Sequence, residues 1–573
     1  MKGKKNLHFL YSHALYVVQK YGIILIFAKK LRLIMTNRYK AIFLFAFLTF
    51  LTTTLCAQVN FSSATRFPYK TEHPLRETRA VWLTTIGGLD WPRVHAVDES
   101  SRQRQKAELI SILDNYQKAN INTVIFQTRV RAAVLYPSHI EPWELSLTGV
   151  AGKDPGYDPL AFCIDECHKR GMELHAWVVC IPIGTKERQA KYGSASLVKQ
   201  HPDLVKTAKG GEMFMKPGNP QTAEYIATIC KEIVENYDVD GISLDYIRYP
   251  ESIFNYSDDE LYPRSSTQSK AEWKRENITR IVKCVHDTVK PIKPWVKLSS
   301  SPIGKYRNTS RYSAGGWNGY DAVWQDPVLW LEKHYQDMLF PMMYFTGNNY
   351  YPFLYQWLEK SNGHPICPGL GIYFLDPREG RWMLNEVRAE MHAARDAGIG
   401  GIAFYRGEFL TKNCKGIYDA TCQEFFPHPA LTARMTWMGD TVPPAAPTSL
   451  YIKEGTLFWS QPQTSLPMKG KEGKSGTLLY NIYGSDTYPV NVTKAENLLA
   501  ARVQDSFWRL NPKANRVSHY AVTAIDRLGN ESSALQEELA NGAQPRQINV
   551  SKLINPPMKS TSKTSKRKKK KRK

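Results

Sequence analysis

Between residues 79 and 406, short apolar runs alternate with amphipathic helical stretches. This alternation narrows the choice of fold more than any other feature of the chain. The runs are AVWLTT (80–85), TVIFQTR (123–129), ELHAWVV (173–179), GISLDYIRYP (241–250), VKLSSSPIG (296–304), DMLFPMMYF (337–345), ICPGLGIY (366–373) and GIAFYR (401–406). Helical periodicity fills the spaces between them at 103–119, 158–170, 221–236, 269–289, 350–360 and 380–396, and is weaker between 304 and 337. Eight strands separated by helices over about 330 residues predict a (β/α)₈ TIM barrel. An open doubly wound sheet rarely has so many units, and no GxGxxG turn follows the first run.

The long connections follow strands two to five, at 130–157, 180–220, 250–268 and 305–325. Such loops gather at the C-terminal face of a barrel, where its active sites lie. The barrel domain is expected over residues 70–440. PPAAPTSL (443–450) then reads as a linker, followed by LYIKEGTLFWS, LLYNIYGSD, SFWRLNP and SHYAVTAIDRLGNES. Short alternating runs with spaced turns predict a small all-β sandwich of the immunoglobulin or fibronectin III type over 443–540. YAVTAIDRLGNES resembles the penultimate strand and turn of a fibronectin type III domain.

The formal charge of +23 would suit a nucleic-acid binder if it were spread over the fold. It is not. Residues 1–57 carry nine Lys or Arg and 559–573 carry ten, with no acid in either segment, which leaves about +4 on the body. Nucleic acid is therefore not an expected partner. Residues 1–57 read as an export region. Met35 to Lys40 is a short basic stretch and the better initiator, Ala41–Leu55 is an apolar run too short for a comfortable membrane span, and Ala57 suits cleavage. The expected location is the periplasm or cell envelope; lipid attachment at Cys56 is second, because Leu55 stands where a small residue belongs. The tail at 556–573 is predicted to be disordered and basic enough to meet an anionic envelope polymer or lipid headgroups. The eight cysteines from Cys163 to Cys422 have no CxxC spacing and the histidines no HExxH, so neither a metal nor a cofactor is expected. Cys414 and Cys422 are a pair that an exported protein could oxidise.

Side chains alternate along strands, which assigns barrel-facing positions. Ile242 and Leu244 belong against the helices, so Asp245 faces the axis near the upper rim. The same parity turns Gln127, Arg129, His175, Trp177, Trp82, Thr84, Tyr344 and Tyr405 inward, with Arg248 and Tyr249 just beyond the fourth strand. Flat rings beside an acid, an amide, guanidinium groups and an imidazole suit a sugar. Glycosidic cleavage needs one carboxylate to stabilise or attack an oxocarbenium-like centre and a second carboxyl group as acid. Asp245 is the first choice for the former. Glu141, beside Trp143 in YPSHIEPWELSLTG, is the first choice for the latter, ahead of Glu408, Asp376 and Asp321. The competing role for Asp245 is a salt bridge to Arg129 or Arg248 that only ties the barrel top together.

ETRAVWLTTIGGLDWP (77–92), the stretch from Asn122 to Phe162, RGMELHAWV (170–178) and DGISLDYIRYP (240–250) resemble the glycosyl hydrolase-like family related to family ten, a domain of bacterial envelope proteins. The resemblance covers roughly residues 70–440 and implies a (β/α)₈ barrel that hydrolyses peptidoglycan strands stripped of their stem peptides. The family often ends strand four with two aspartates; here Asp245 matches the first and Tyr246 replaces the second. The expected function is an exported glycoside hydrolase acting on peptide-free peptidoglycan. The alternatives are hydrolysis of another polysaccharide and carbohydrate binding without catalysis.

Overall fold

The computed structural model describes residues 73–310, 313–461, 478–511 and 517–536. Eight parallel strands, β1 (Thr78–Leu83), β2 (Thr123–Arg129), β3 (Glu173–Val179), β4 (Gly241–Asp245), β5 (Lys297–Ser300), β6 (Met338–Leu339), β7 (Gly369–Leu370) and β8 (Gly401–Phe404), pair in the order β7-β8-β1-β2-β3-β4-β5-β6. Parallel bridges Leu339–Ile366 and Met342–Gly369 join β6 to β7, so the sheet closes on itself as a (β/α)₈ barrel.

The helices start where local chemistry allows. Asp158 accepts the Ala161 amide at 2.9 Å and Pro159 takes the first position of the helix Pro159–Lys169. Ser269 and Glu272 form a capping box before Lys270–Val289. Between β5 and β6 the described residues form two short helices, Gly319–Ala322 and Pro327–Glu332, which is why the periodicity fades there.

Two apolar layers hold the barrel. Val81, Phe126, Leu174, Ile242, Leu244, Leu298 and Ile402 face the helices, each burial contributing about 1.5–3 kcal/mol. Trp82, Ile125, Trp177, Met338, Phe340 and Ala403 fill the interior. The large rings fit because glycines face them: a Cβ on Gly241 would stand 2.7 Å from the His175 ring, and one on Gly369 would stand 2.8 Å from Trp82.

The strands from β4 to β8 are all shorter than their apolar runs. β4 stops at Asp245 because Tyr246 adopts φ 48°, a left-handed turn that ends pairing. β6 and β7 keep only two residues each, so Tyr344 lies past its strand. The eight cysteines from Cys163 to Cys422 are free thiols, and Cys414 and Cys422 are not joined.

The C-terminal residues form two antiparallel three-stranded sheets. One orders β9 (Thr448–Lys453), β10 (Thr456–Ser460) and β13 (Phe507–Arg509); the other orders β12 (Leu498–Val503), β11 (Leu479–Ser485) and β14 (His519–Ile525). Leu450, Leu457, Trp459, Tyr480, Ile482 and Val522 make their shared core. The second sheet docks on the N-terminal rim of the barrel through buried charges. Arg502 reaches Glu173 at 3.1 Å and also Asp240, and Arg527 reaches Asp240 at 3.2 Å. Lys297 pairs with Glu173 at 2.7 Å and His168 with Asp240 at 2.8 Å.

Candidate active site

A cavity of about 450 Å³ opens at the C-terminal end of the barrel strands. Asp245, the last residue of β4, lies at its base and is 4% exposed. Trp177 on β3 donates its indole N–H to Asp245 Oδ2 at 3.0 Å, and the Tyr246 amide donates to Oδ1 at 2.7 Å. Both donors are N–H groups that cannot accept, so both bonds favour the ionised carboxylate. Burial outweighs them and raises the carboxyl above its ordinary range, against the opposing pull of Arg248, the Tyr246 amide and Trp177.

Rings surround this carboxylate. Tyr344 and Tyr405 stack at 5.2 Å between centroids, Trp82 meets Tyr405 edge-on at 6.0 Å, and Tyr373 meets Tyr405 edge-on at 5.8 Å. Tyr246 stands 41% exposed, with the Arg248 guanidinium 4.3 Å from its ring centre. Arg248 also donates to Glu251 at 2.7 Å. Gln127 lines the cavity while its Oε1 accepts the Thr85 and Ile86 amides at 2.9 and 2.8 Å, which fixes the loop after β1. Tyr249 lines the wall but is 1% exposed, and its hydroxyl accepts from Asn277 at 2.9 Å.

Asp245, Gln127, Trp177, Arg248, Tyr249, Tyr344 and Tyr405 thus come together, while Arg129, Glu141, Trp143 and His175 lie off the cavity. The inward orientation expected for Arg129 is corrected by a register shift between Gln127 and Arg129, where the β2–β3 pairing jumps from Gln127–Trp177 to Arg129–Val178. The bulge reverses the parity of the last residue. Arg129 is fully buried and instead forms a two-pronged ion pair with Glu141, at 2.8 and 2.6 Å, and donates to the carbonyls of Val179 and Cys180. Tyr225 donates to the same Glu141 at 3.0 Å. Glu141 therefore holds its loop to β2 and does not reach the cavity as the second carboxyl group. Trp143 is half-buried in that loop, bridged to Val134. His175 points inward, but one layer too deep. It pairs with Gly241 where Asp245 pairs with Val179, and it contacts Glu173 at 3.2 Å and Phe340. Among the other acids, Glu408 is held by Arg406 and Arg93, each at 2.9 Å, Asp376 by Arg378 at 2.7 Å, and Asp321 by Asn318 at 3.1 Å; none of them lines the cavity.

The cavity also takes residues outside the expected set. The loop after β3 folds into a small antiparallel sheet of Pro182–Thr185, Val205–Thr207 and Glu212–Met215, which brings Glu212 and Phe214 to the rim. Gly210-Gly211 between two short runs is the hairpin signal that marks this sheet in the sequence. Arg131 and Glu251 come from irregular backbone, and Phe254 and Tyr373 from the short 3-10 turns Ser252–Phe254 and Ile372–Leu375, which are too brief to leave a periodicity.

The family model described as glycosyl hydrolase-like 10 matches residues 77–369. Glycosyl hydrolase YngK of Bacillus subtilis (strain 168) is 32% identical over 485 residues, covering 80% of this chain and 92% of that protein. Glycosyl hydrolase DigH of Escherichia coli (strain K12) is 34% identical over 379 residues, covering 60% of this chain and 86% of that protein. Among solved structures, alpha-L-fucosidase isoenzyme 2 from Paenibacillus thiaminolyticus overlays with a TM-score of 0.42 at 14% identity, covering 61% of this chain and 50% of that one. The matched span holds β1 to β6, Asp245 and Trp177, and on this extent of similarity the chain belongs to the glycosyl hydrolase-like 10 family.

Proposed function

We propose that the protein is an exported glycoside hydrolase that cleaves peptide-free peptidoglycan strands, with Asp245 as its charged carboxylate. The observation that carries this reading is the placement of Asp245: an acid at the end of a barrel strand, at the base of a sugar-sized cavity, with an N–H donor on each oxygen. Bond cleavage develops positive charge at the anomeric carbon, and a pre-oriented carboxylate stabilises or attacks that centre. The second carboxyl group, which protonates the departing oxygen, is sought among Glu251 and Glu212, the other acids on the cavity wall. Tyr344, Tyr405 and Trp82 offer faces and edges for the apolar sides of sugar rings. Arg131 and Arg248 on the same wall suit a glycan whose lactyl carboxylates have been freed of peptide. Export rests on the basic, apolar and small-residue order of residues 35–57, which lie outside the described residues together with the basic tail.

The test uses the full chain on amidase-stripped sacculi, reading reducing ends and product masses. Release by the wild type, with Asp245→Asn binding but not cleaving, supports the reading. Wild-type binding without release makes the protein a glycan-binding one. Cleavage of another polysaccharide but not of sacculi moves the substrate class. An Asp245→Asn variant as fast as the wild type removes Asp245 from the chemistry.

A further inference from the structure

We propose that the outer face of the β9-β10-β13 sheet is a second glycan-binding surface. It would hold the polymer on the rings of Tyr451, Phe458 and Phe507 and pair its carboxylates with Lys453 and Arg509. The choice of ligand rests on the hydrolase reading above; the surface itself is read independently of the barrel.

Alternation in this sheet sends Leu450, Leu457 and Trp459 into the sandwich core and the intervening residues outward. An outward face of a sandwich sheet is ordinarily polar. Here Tyr451 pairs with Phe458 and Phe458 with Phe507, so three aromatic rings form one row across three strands. Tyr451 and Phe458 stack at 5.3 Å and 15°, and Phe458 and Phe507 lie 6.1 Å apart at 38°. The end rings are 49% and 45% exposed, so no described residue covers them. Leaving such a ridge in water is unfavourable unless something stacks on it.

The neighbouring row decides what that is. Lys453 pairs with Thr456 and Thr456 with Arg509, which sets two exposed cations and a hydroxyl beside the rings, against one acid, Glu454, at the turn. Neither cation has an ion-pair partner among the described residues. An apolar ridge flanked by cations matches a chain of rings with flat C–H faces and periodic carboxylates better than it matches a second copy of the same basic surface. The buried charges between sandwich and barrel keep this surface in a set relation to the cavity, so one strand could engage both sites and gain from the linkage.

The experiment compares the Asp245→Asn protein with the same protein carrying Tyr451→Ala and Phe507→Ala. Binding is read on amidase-stripped sacculi and on carboxyl-reduced sacculi, and self-association by sedimentation. Binding at least about fivefold weaker for the ring variant is expected, with a similar loss for Lys453→Gln/Arg509→Gln on native sacculi only. Cleavage of short soluble fragments by the ring variant with Asp245 restored is expected to equal wild type, which also shows that it folds. Unchanged sacculus binding by the ring variant overturns the surface, and a change in self-association without a change in glycan binding assigns it to a second copy instead. Equal binding to native and carboxyl-reduced sacculi overturns the role of the cations. No binding of sacculi by either protein overturns this surface as a holder of that glycan, whereas ring-dependent binding without cleavage by the wild type removes only the hydrolase reading.

Discussion

Trp177 donates to Asp245 across 3.0 Å although the two are not register partners: Trp177 pairs with Ser243, and Asp245 with Val179. The indole reaches diagonally up the barrel to the carboxylate. Replacing it by phenylalanine keeps a ring and removes the donor. A hydrogen bond to a charged group contributes about 1.5–3 kcal/mol, so the Asp245 carboxyl, already raised by burial, should rise further. The acidic limb of the kcat/KM profile of Trp177→Phe should move to higher pH. An unmoved limb would show that the contact does not set the ionisation of Asp245.

Glu141 is expected to matter for stability and not for chemistry. Glu141→Gln leaves the Arg129 guanidinium buried without its charge partner and should cost about 3–5 kcal/mol in chemical denaturation, with near-normal turnover per folded molecule. Arg129→Met/Glu141→Leu should recover most of that loss. A stable but inactive Glu141→Gln would return Glu141 to the catalytic apparatus.

Glu390 makes the stability of the fold fall with rising pH from the ordinary glutamate range up to about 9. Burial, with a smaller contribution from Glu386, pushes its carboxyl up to about 9, and neither oxygen has a hydrogen-bond partner among the described residues. The unfolded chain loses this proton near the ordinary value, and the folded chain keeps it until about 9. Stability should therefore fall as pH rises between those values, by up to about 1.4 kcal/mol per pH unit. Glu390→Gln should flatten that part of the melting-temperature profile; a profile identical to wild type would show that the glutamate is not buried in solution.

The sandwich should be inseparable from the barrel. Burial alone would raise Glu173 and Asp240, but Lys297 and Arg502 hold Glu173, and Arg527, Arg502 and His168 hold Asp240, well below the usual carboxylate range. Such groups stabilise the fold above their unfolded pKa values, and the contribution is lost as pH falls through the folded ones. Arg502→Met should lower stability at neutral pH by about 3–5 kcal/mol and move acid unfolding to higher pH. Removing residues 443–573 should do more. A truncated barrel as stable as the full chain would show that the rim charges find water instead.

The barrel was legible because its signal is repeated. Runs such as TVIFQTR and ELHAWVV are buried on both faces, so they read as parallel strands without knowledge of their neighbours. Asp245 was legible for a related reason: Ile242 and Leu244 set the parity of β4, and β4 has no bulge before its end. The same rule misplaced Arg129, because one extra residue between Gln127 and Arg129 reversed the alternation.

The amino-acid order by itself determined the eight parallel runs, the acid that ends the fourth and the short antiparallel strands that follow the barrel, because local periodicity and burial decide those features residue by residue. Tertiary structure alone decided that Glu141 closes onto Arg129, that His175 sits beneath the cavity rather than in it, and that Glu212, Glu251 and Tyr373 reach its wall. The physical reason is that strand register, bulges and loop insertions are set by contacts between residues far apart in the chain, and these fix where a side chain ends rather than which way its own segment points.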